Sequence, residues 1–176
     1  MHGIIHSELK KFVETKHGAN AWKAVLQEAG FENKVYLSNT VYADEEAIAI
    51  VTAASRLTGT PPEDILENFG EFIVPALMST FRPMTKSTWK TMDLLLNTEE
   101  TIHKAVRIKN PGAQPPRLKF KQTGPNTLRF NYNSWRRMSS VAKGIIKGVA
   151  KYYGETVDIQ ERKGPGGSSE MDITIN

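Results

Sequence analysis

Tyr132-Asn133-Ser134-Trp135-Arg136 places three hydrogen-bond donors at strict alternation, at the end of a stretch that reads as a β-strand. Alternate strand residues share a face. Tyr132 and Ser134 bring hydroxyls to that face, Arg136 a planar guanidinium, and Leu128 and Phe130 precede them on it. The strand therefore carries its apolar residues first and its donors last. That order suits a ligand with an apolar body and an anionic edge, because a guanidinium matches a carboxylate bidentately and charge-assisted hydrogen bonds are the strong ones.

The flanking sequence supplies the partners of this strand. Arg117 to Lys121 alternates apolar Leu118 and Phe120 with basic residues, Gly124-Pro125-Asn126 reads as a turn, and Leu128 to Ser134 returns as the second strand. Residues 137 to about 153 are predicted helical, with Met138, Val141, Ile145, Val149 and Tyr152 on one side and Lys143, Lys147 and Lys151 on another. A second hairpin pairs Thr156–Glu161 with Met171–Ile175 across a Gly-rich loop.

The first two-thirds has helical period instead. Helices are predicted over residues 3–17, 21–28, from Asp44 to the stop at Gly59, and from a Thr60-Pro61-Pro62-Glu63 capping box onward. Pro75 is expected to kink or stop the last of these near Ile73, since proline lacks the backbone donor. Another helix is predicted over Thr85–Asn97, continuing or restarting through Thr98 to about Arg107, with a cap or bend at Asn97-Thr98. The fold class is α+β: a helical N-terminal part packed on a C-terminal antiparallel sheet with its own helix.

Composition bounds the function. A chain of 176 residues, 39% hydrophobic and 24% charged, argues for one globular domain. Cysteine is absent, which removes disulfides, thiolate nucleophiles and Cys-ligated metal sites. There is no apolar run of about 18 residues and no secretory leader, so a cytoplasmic protein without membrane contact is expected. A net charge of +4 is modest for a nucleic-acid binder of this size. The stretch Gly164 to Ser169 lacks the Gly-Lys-Ser/Thr ending of a phosphate loop. No nucleophile elbow or His-Glu-x-x-His pair is present, and an enzyme is not expected.

His103, in the helical Thr101-Ile102-His103-Lys104-Ala105-Val106, precedes Pro115-Pro116 and then the Tyr-x-Ser-x-Arg motif. A histidine, a proline and that motif in this order resemble the H-NOX family of haem-nitric oxide/oxygen binding domains. The opening Met1-His2-Gly3 with Ile4, Ile5 and Leu9 is similar to the family's start, and the resemblance covers nearly the whole chain. It implies a single domain over 1–176, with a helical part of about 1–60 and a haem-cradling part of about 61–176. It implies haem b as cofactor, His103 as the axial iron ligand, and Tyr132, Ser134 and Arg136 on the propionates. Pro116 would press on the haem plane, with Pro115 its neighbour.

In oxygen-binding members a tyrosine stands on the distal helix. Val141 takes that place here, and Ile5, Val74, Leu77 and Ile145 fall on the same apolar wall, with Ser139 and Ser140 the nearest donors. The resemblance thus implies a stand-alone, bacterial-type sensor of nitric oxide and carbon monoxide that excludes oxygen. Release of His103 would signal to a separate histidine kinase or diguanylate cyclase. The rival reading is a haem-free adaptor or nucleic-acid module using the Lys143/Lys147/Lys151 face. Without the downstream motif, His103 would read as an ordinary helix histidine and the trio as a strand with polar ends. His2, His6 and His17 lack partners at metal spacing and are read as structural.

Overall fold

Residues 1–110 and 112–176 are described by a computed structural model. Helices α1 (Gly3–His17), α2 (Ala21–Glu28) and α3 (Asp44–Thr58) fall where the periodicity predicts. Gly59 ends α3 in the left-handed conformation, φ 70°, which only glycine adopts at no cost. These helices bury Leu9, Phe12, Ile50 and Val51 against Phe69 and Ile73 of α4 (Pro62–Phe81).

Helix α4 departs from expectation twice. It starts with Pro61 at the cap and Pro62 in the first turn, so Thr60 stands one residue too early to cap it. It also runs through Pro75 to Phe81. The lost Pro75 donor would have served the Glu71 carbonyl, and that carbonyl packs on the facing helix instead, 2.9 Å from where a Cβ on Gly148 would sit.

The predicted helix over Thr85–Asn97 is only half present. A 3₁₀ turn occupies Arg82–Met84, Thr85 is extended, and α5 begins at Thr91. Its start is fixed there by two carboxylates. Asp93 takes the Lys90 N–H at 3.1 Å, and Glu155 takes the Thr91 N–H at 3.1 Å. Helix α5 (Thr91–Asn97) passes through a π-helical turn, Glu99–His103, into α6 (Lys104–Lys109). The bend expected at Asn97-Thr98 is this turn, in which the His103 N–H reaches back to the Thr98 carbonyl at 3.0 Å.

Strands β1 (Arg117–Gly124), β2 (Thr127–Asn133), β3 (Val157–Lys163) and β4 (Ser169–Ile175) form one antiparallel sheet in the order β1-β2-β4-β3. Leu128, Phe130 and Tyr132 share its buried face with Met171 and Ile173. Helix α7 (Ser139–Tyr152) lies between this face and α4. Its Ile146 packs with the sheet residues, and its Val149 with Val74 and Met78. The buried set on α7 is therefore shifted from the predicted stripe: Ser140, Gly144, Ile146, Gly148 and Ala150 are buried with Val149; Met138, Val141 and Ile145 are half-buried; and Tyr152 is exposed.

Helices α4 and α7 touch backbone to backbone. A Cβ on Gly144 would overlap the Glu67 carbonyl, and one on Gly70 the Val141 carbonyl. The same approach corrects the reading of the lysine face. Lys143 and Lys147 both pair with Glu67, at 3.0 and 2.5 Å, and Lys151 pairs with Glu71 at 3.0 Å. Burial alone would raise the Glu67 carboxyl, but the two ammonium groups hold it below its ordinary range. Lys143 is largely covered by this contact while the Lys151 side chain stays in solvent, so the face available for docking is smaller than the sequence implies.

His6 of α1 is 0% exposed, stacked on Tyr36 at 4.5 Å, and neither ring nitrogen has a partner among the described residues. Burial pushes its pKa down from 6.5 to about 4, against an opposing pull from Glu46. Its folded value lies below its unfolded one. Its contribution is thus complete above pH 6.5 and is lost as pH falls toward 4, by on the order of 3 kcal/mol in all. His6→Leu is expected to remove that part of the acid limb. Between pH 7.5 and 4.5 the urea midpoint should fall less in the variant than in the unsubstituted protein, and an equal fall would refute the assignment.

Candidate functional site

Strand β2 ends at Asn133, but the alternation of burial runs on past it: Ser134 is buried, Trp135 exposed and Arg136 half-buried. The Ser134 hydroxyl accepts the Arg136 N–H at 3.3 Å, and the Ser134 carbonyl accepts the Arg137 N–H at 3.0 Å. A serine that binds its own downstream backbone closes a turn rather than extending a strand. Arg137 completes it at φ 52°. The turn sends Trp135 outward, 61% exposed, with the Arg136 guanidinium 4.9 Å over its ring.

A cavity of about 560 Å³ opens between α1, α4, α7, the π-turn and the sheet. Cofactor-sized ligands occupy sites of about 300–1,000 Å³ with mostly apolar walls and a few placed polar groups. Ile5, Val74, Leu77, Val141 and Ile145 line one side, and His103, Pro115, Pro116, Tyr132 and Arg136 also border it. Ser134 is not among the lining residues, and its hydroxyl, which accepts the Arg136 N–H, keeps its own proton to donate. Ser139 and Ser140 do not border the cavity either. A larger groove, about 840 Å³, runs beside α1 and α2, but its rim of Lys10, Lys11, Lys23, Glu14 and Glu32 is that of a solvated cleft.

His103 is the one imidazole on the cavity whose bonds point to a ligating role. Its Nδ1 lies 3.0 Å from the Pro116 carbonyl and 3.3 Å from Glu99 Oε2, and no bond to Nε2 is made among the described residues. Burial lowers its pKa, with the Glu99 carboxylate pulling the other way, so the ring is neutral near pH 7. A neutral ring with Nδ1–H given to a carbonyl presents the Nε2 lone pair, the arrangement of a metal-bound histidine. The residues present thus fit a prosthetic group with an axial site and an apolar body.

The Arg136 guanidinium is more committed than its sequence position implied. Its Nε donates to Asp44 Oδ2 at 2.7 Å and its Nη1 to the Gln114 carbonyl. The other Asp44 oxygen meets the N-terminal amine at 2.7 Å. Burial would raise the Asp44 carboxyl, and the amine and Arg136 together bring it below its usual value. Nη2 makes no bond among the described residues and is the edge left for an anion. The Tyr132 hydroxyl accepts the Met138 N–H at 3.2 Å.

The fold and the donor set are matched among known proteins. The haem-NO-binding family matches residues 2–161. The chain belongs to the H-NOX family. The S. oneidensis H-NOX protein, solved in its Fe(II)NO ligation state, superposes with a TM-score of 0.92 at 22% identity, covering 100% of this chain and 99% of that one. The K. algicida H-NOX protein, Fe(II) and unliganded, gives 0.88 at 22%, covering 100% and 97%. At these identities the superpositions establish the α+β fold. Soluble guanylate cyclase gcy-34 of Caenorhabditis elegans is 25% identical over 156 residues, 86% of this chain and 23% of that protein. For gcy-35 of the same organism the figures are 24%, 93% and 25%. The chain spans about a quarter of the curated relatives it matches. H-NOX domains are haem-binding gas sensors, not catalysts. Among the described residues no helix is long and apolar enough to cross a membrane.

Three contributors to the site of this H-NOX domain, Asp44, Asn110 and His2, reach it through tertiary contact, whereas Glu99 meets His103 along its own stretch of helix, four residues before it. His2 accepts the Ile4 N–H at the start of α1 and meets Asn110 Oδ1 at 3.0 Å, just beyond α6. That contact ties the first helix to the segment that carries His103.

Proposed function

We propose that this domain is a ferrous-haem sensor that takes nitric oxide and carbon monoxide, excludes oxygen, and signals to a separate effector. The observation that carries it is the His103 imidazole, with Nδ1 already spent, on a mostly apolar 560 Å³ cavity. The group it would hold is haem b, which when bound supplies a gas-binding ferrous iron. His103 would be its protein ligand through Nε2. Arg136, with Tyr132 and the Ser134 turn behind it, would hold the propionate edge, and Pro116 would bear on the plane.

Ile5, Val74, Leu77, Val141 and Ile145 provide no hydrogen-bond donor on their side of the cavity. A donor to bound oxygen is worth on the order of 1.5–3 kcal/mol, or about 10- to 150-fold in affinity. Nitric oxide and carbon monoxide carry less charge and need it less. The apolar wall therefore selects against oxygen.

His103 also sits where movement would be transmitted. Letting go of iron would release the π-turn from its fixed position, and α6 with it. The His2–Asn110 contact and the Met1–Asp44–Arg136 chain of charges join that region to α1 and α3. A two-state element of this kind is what signalling requires. The effector proposed is a cytoplasmic histidine kinase or diguanylate cyclase.

Absorption spectra of the reduced, haem-loaded protein test the reading. Shifted Soret bands with nitric oxide and with carbon monoxide, and an unchanged ferrous band during brief exposure to air, are expected. A stable oxygen complex would overturn the selectivity, and failure to take up hemin would overturn the whole reading.

A further inference from the structure

Glu99 occupies the first position of the π-turn and faces His103 four residues later, with both side chains about four-fifths buried: they are 18% and 17% exposed. Its carboxylate is held from three directions. Oε2 accepts the Leu118 N–H at 3.1 Å and lies 3.3 Å from His103 Nδ1. Oε1 pairs with Arg107 at 2.8 Å and stands 3.6 Å from Arg117. The Pro116 carbonyl, 3.0 Å away, shares the same Nδ1 proton.

We propose that Glu99 is a positioning residue that sets how strongly His103 donates to iron, with Arg107 tempering its charge. This rests on the reading of His103 as the axial ligand. A carbonyl fixes the ring's tautomer, but an anion beside Nδ1–H does more. It draws that proton outward and raises electron density at Nε2. Glu99 brings a full negative charge to a partly buried place where solvent screens it little. Arg107, on α6, draws part of that charge away from the ring. The two residues therefore act on His103 in opposite senses. Because Oε2 also takes a backbone N–H of edge strand β1, the same carboxylate joins the π-turn to the sheet.

The opposition gives a signed test. In the ferrous, ligand-free, haem-loaded protein, the iron–histidine stretching band is read by resonance Raman spectroscopy and the midpoint potential by titration. Glu99→Gln keeps the shape and an acceptor for Leu118 but removes the charge. The band should move to lower wavenumber, the potential should rise, and haem should be lost about 10-fold faster. Arg107→Met leaves the carboxylate uncompensated, and both band and potential should move the other way. Glu99→Asp, which keeps the charge at a longer reach, should fall between Glu99→Gln and the unsubstituted protein. Loosened packing would move the Glu99→Gln and Arg107→Met bands in the same direction. Bands that stay put, or that shift together, overturn the proposal and leave the Pro116 carbonyl as the sole orienting group. Absence of the band from the unsubstituted protein overturns the ligand reading beneath it.

Discussion

Gly144→Ala is expected to cost about 3 kcal/mol or more, the upper part of the range for forcing atoms into a packed interior. The added Cβ would overlap the Glu67 carbonyl, and its next neighbours are also backbone, the Glu67 carbonyl carbon and the Glu71 nitrogen at 2.8 and 3.0 Å. No side-chain rotation relieves such a contact, so α4 and α7 must separate. Separation also stretches the Lys143 and Lys147 bridges to Glu67 and opens the apolar wall between Val74 and Val141. Against a total stability of about 5–15 kcal/mol, the loss would show as a large fall in the urea midpoint. Gly148→Ala should cost less, because its nearest backbone obstacle, the Glu71 carbonyl oxygen, stands at 2.9 Å rather than the direct overlap that Gly144 meets. Equal midpoints for Gly144→Ala and the unsubstituted protein would refute the backbone contact.

His103→Gly should have the largest effect on the proposed cofactor. Removing a partner in the layer behind a metal ligand commonly costs 10–100-fold in affinity, so removing the ligand itself should exceed about 100-fold in haem retention. Added imidazole should enter the space left beside Pro116 and Glu99 and restore both retention and the histidine-ligated spectrum of the ferrous, gas-free protein. Without imidazole that ferrous spectrum should not form. Glu99→Gln and His103→Gly are thus distinguishable, since the first weakens a bond that the second abolishes. A His103→Gly protein with unaltered haem capture and unaltered spectra would remove the basis of the sensor reading.

Much of the fold could be read along the chain because the signals are local. The period of the apolar residues gives α1 to α3 and the two hairpins, and Gly59 marks its helix end. The capping box at Thr60 failed locally, by one residue, while other departures turn on a distant partner. Pro75 stays inside α4 because Gly148 of another helix accommodates the carbonyl it leaves free. Thr85 to Lys90 stays out of α5 because Asp93 and Glu155 fix the helix start at Thr91. The pairing of Lys143, Lys147 and Lys151 with Glu67 and Glu71 likewise depends on α4 lying beside α7.

The candidate site divides in the same way. His103, Pro116, Tyr132 and Arg136 were legible as a pattern, and the cavity collects all four. The Ser134 hydroxyl also accepts a backbone N–H and so closes the turn, a bond that alternation does not reveal. Asp44 and the N-terminal amine were invisible because a carboxylate or amine is common in any sequence, whereas Glu99 stands at helical spacing from His103 and was overlooked. For the first two, only placement beside Arg136 and each other gives a role.

By itself the sequence determined the element types, the absence of thiol chemistry, and the one motif that narrows the family. Those depend on covalent order and short-range spacing. The tertiary structure alone decided which charges neutralise one another, which nitrogen of His103 is spent, and how closely α4 and α7 approach. Hydrogen bonds and ion pairs act over a few ångströms, and residues far apart along the chain come within that reach only when the core is packed.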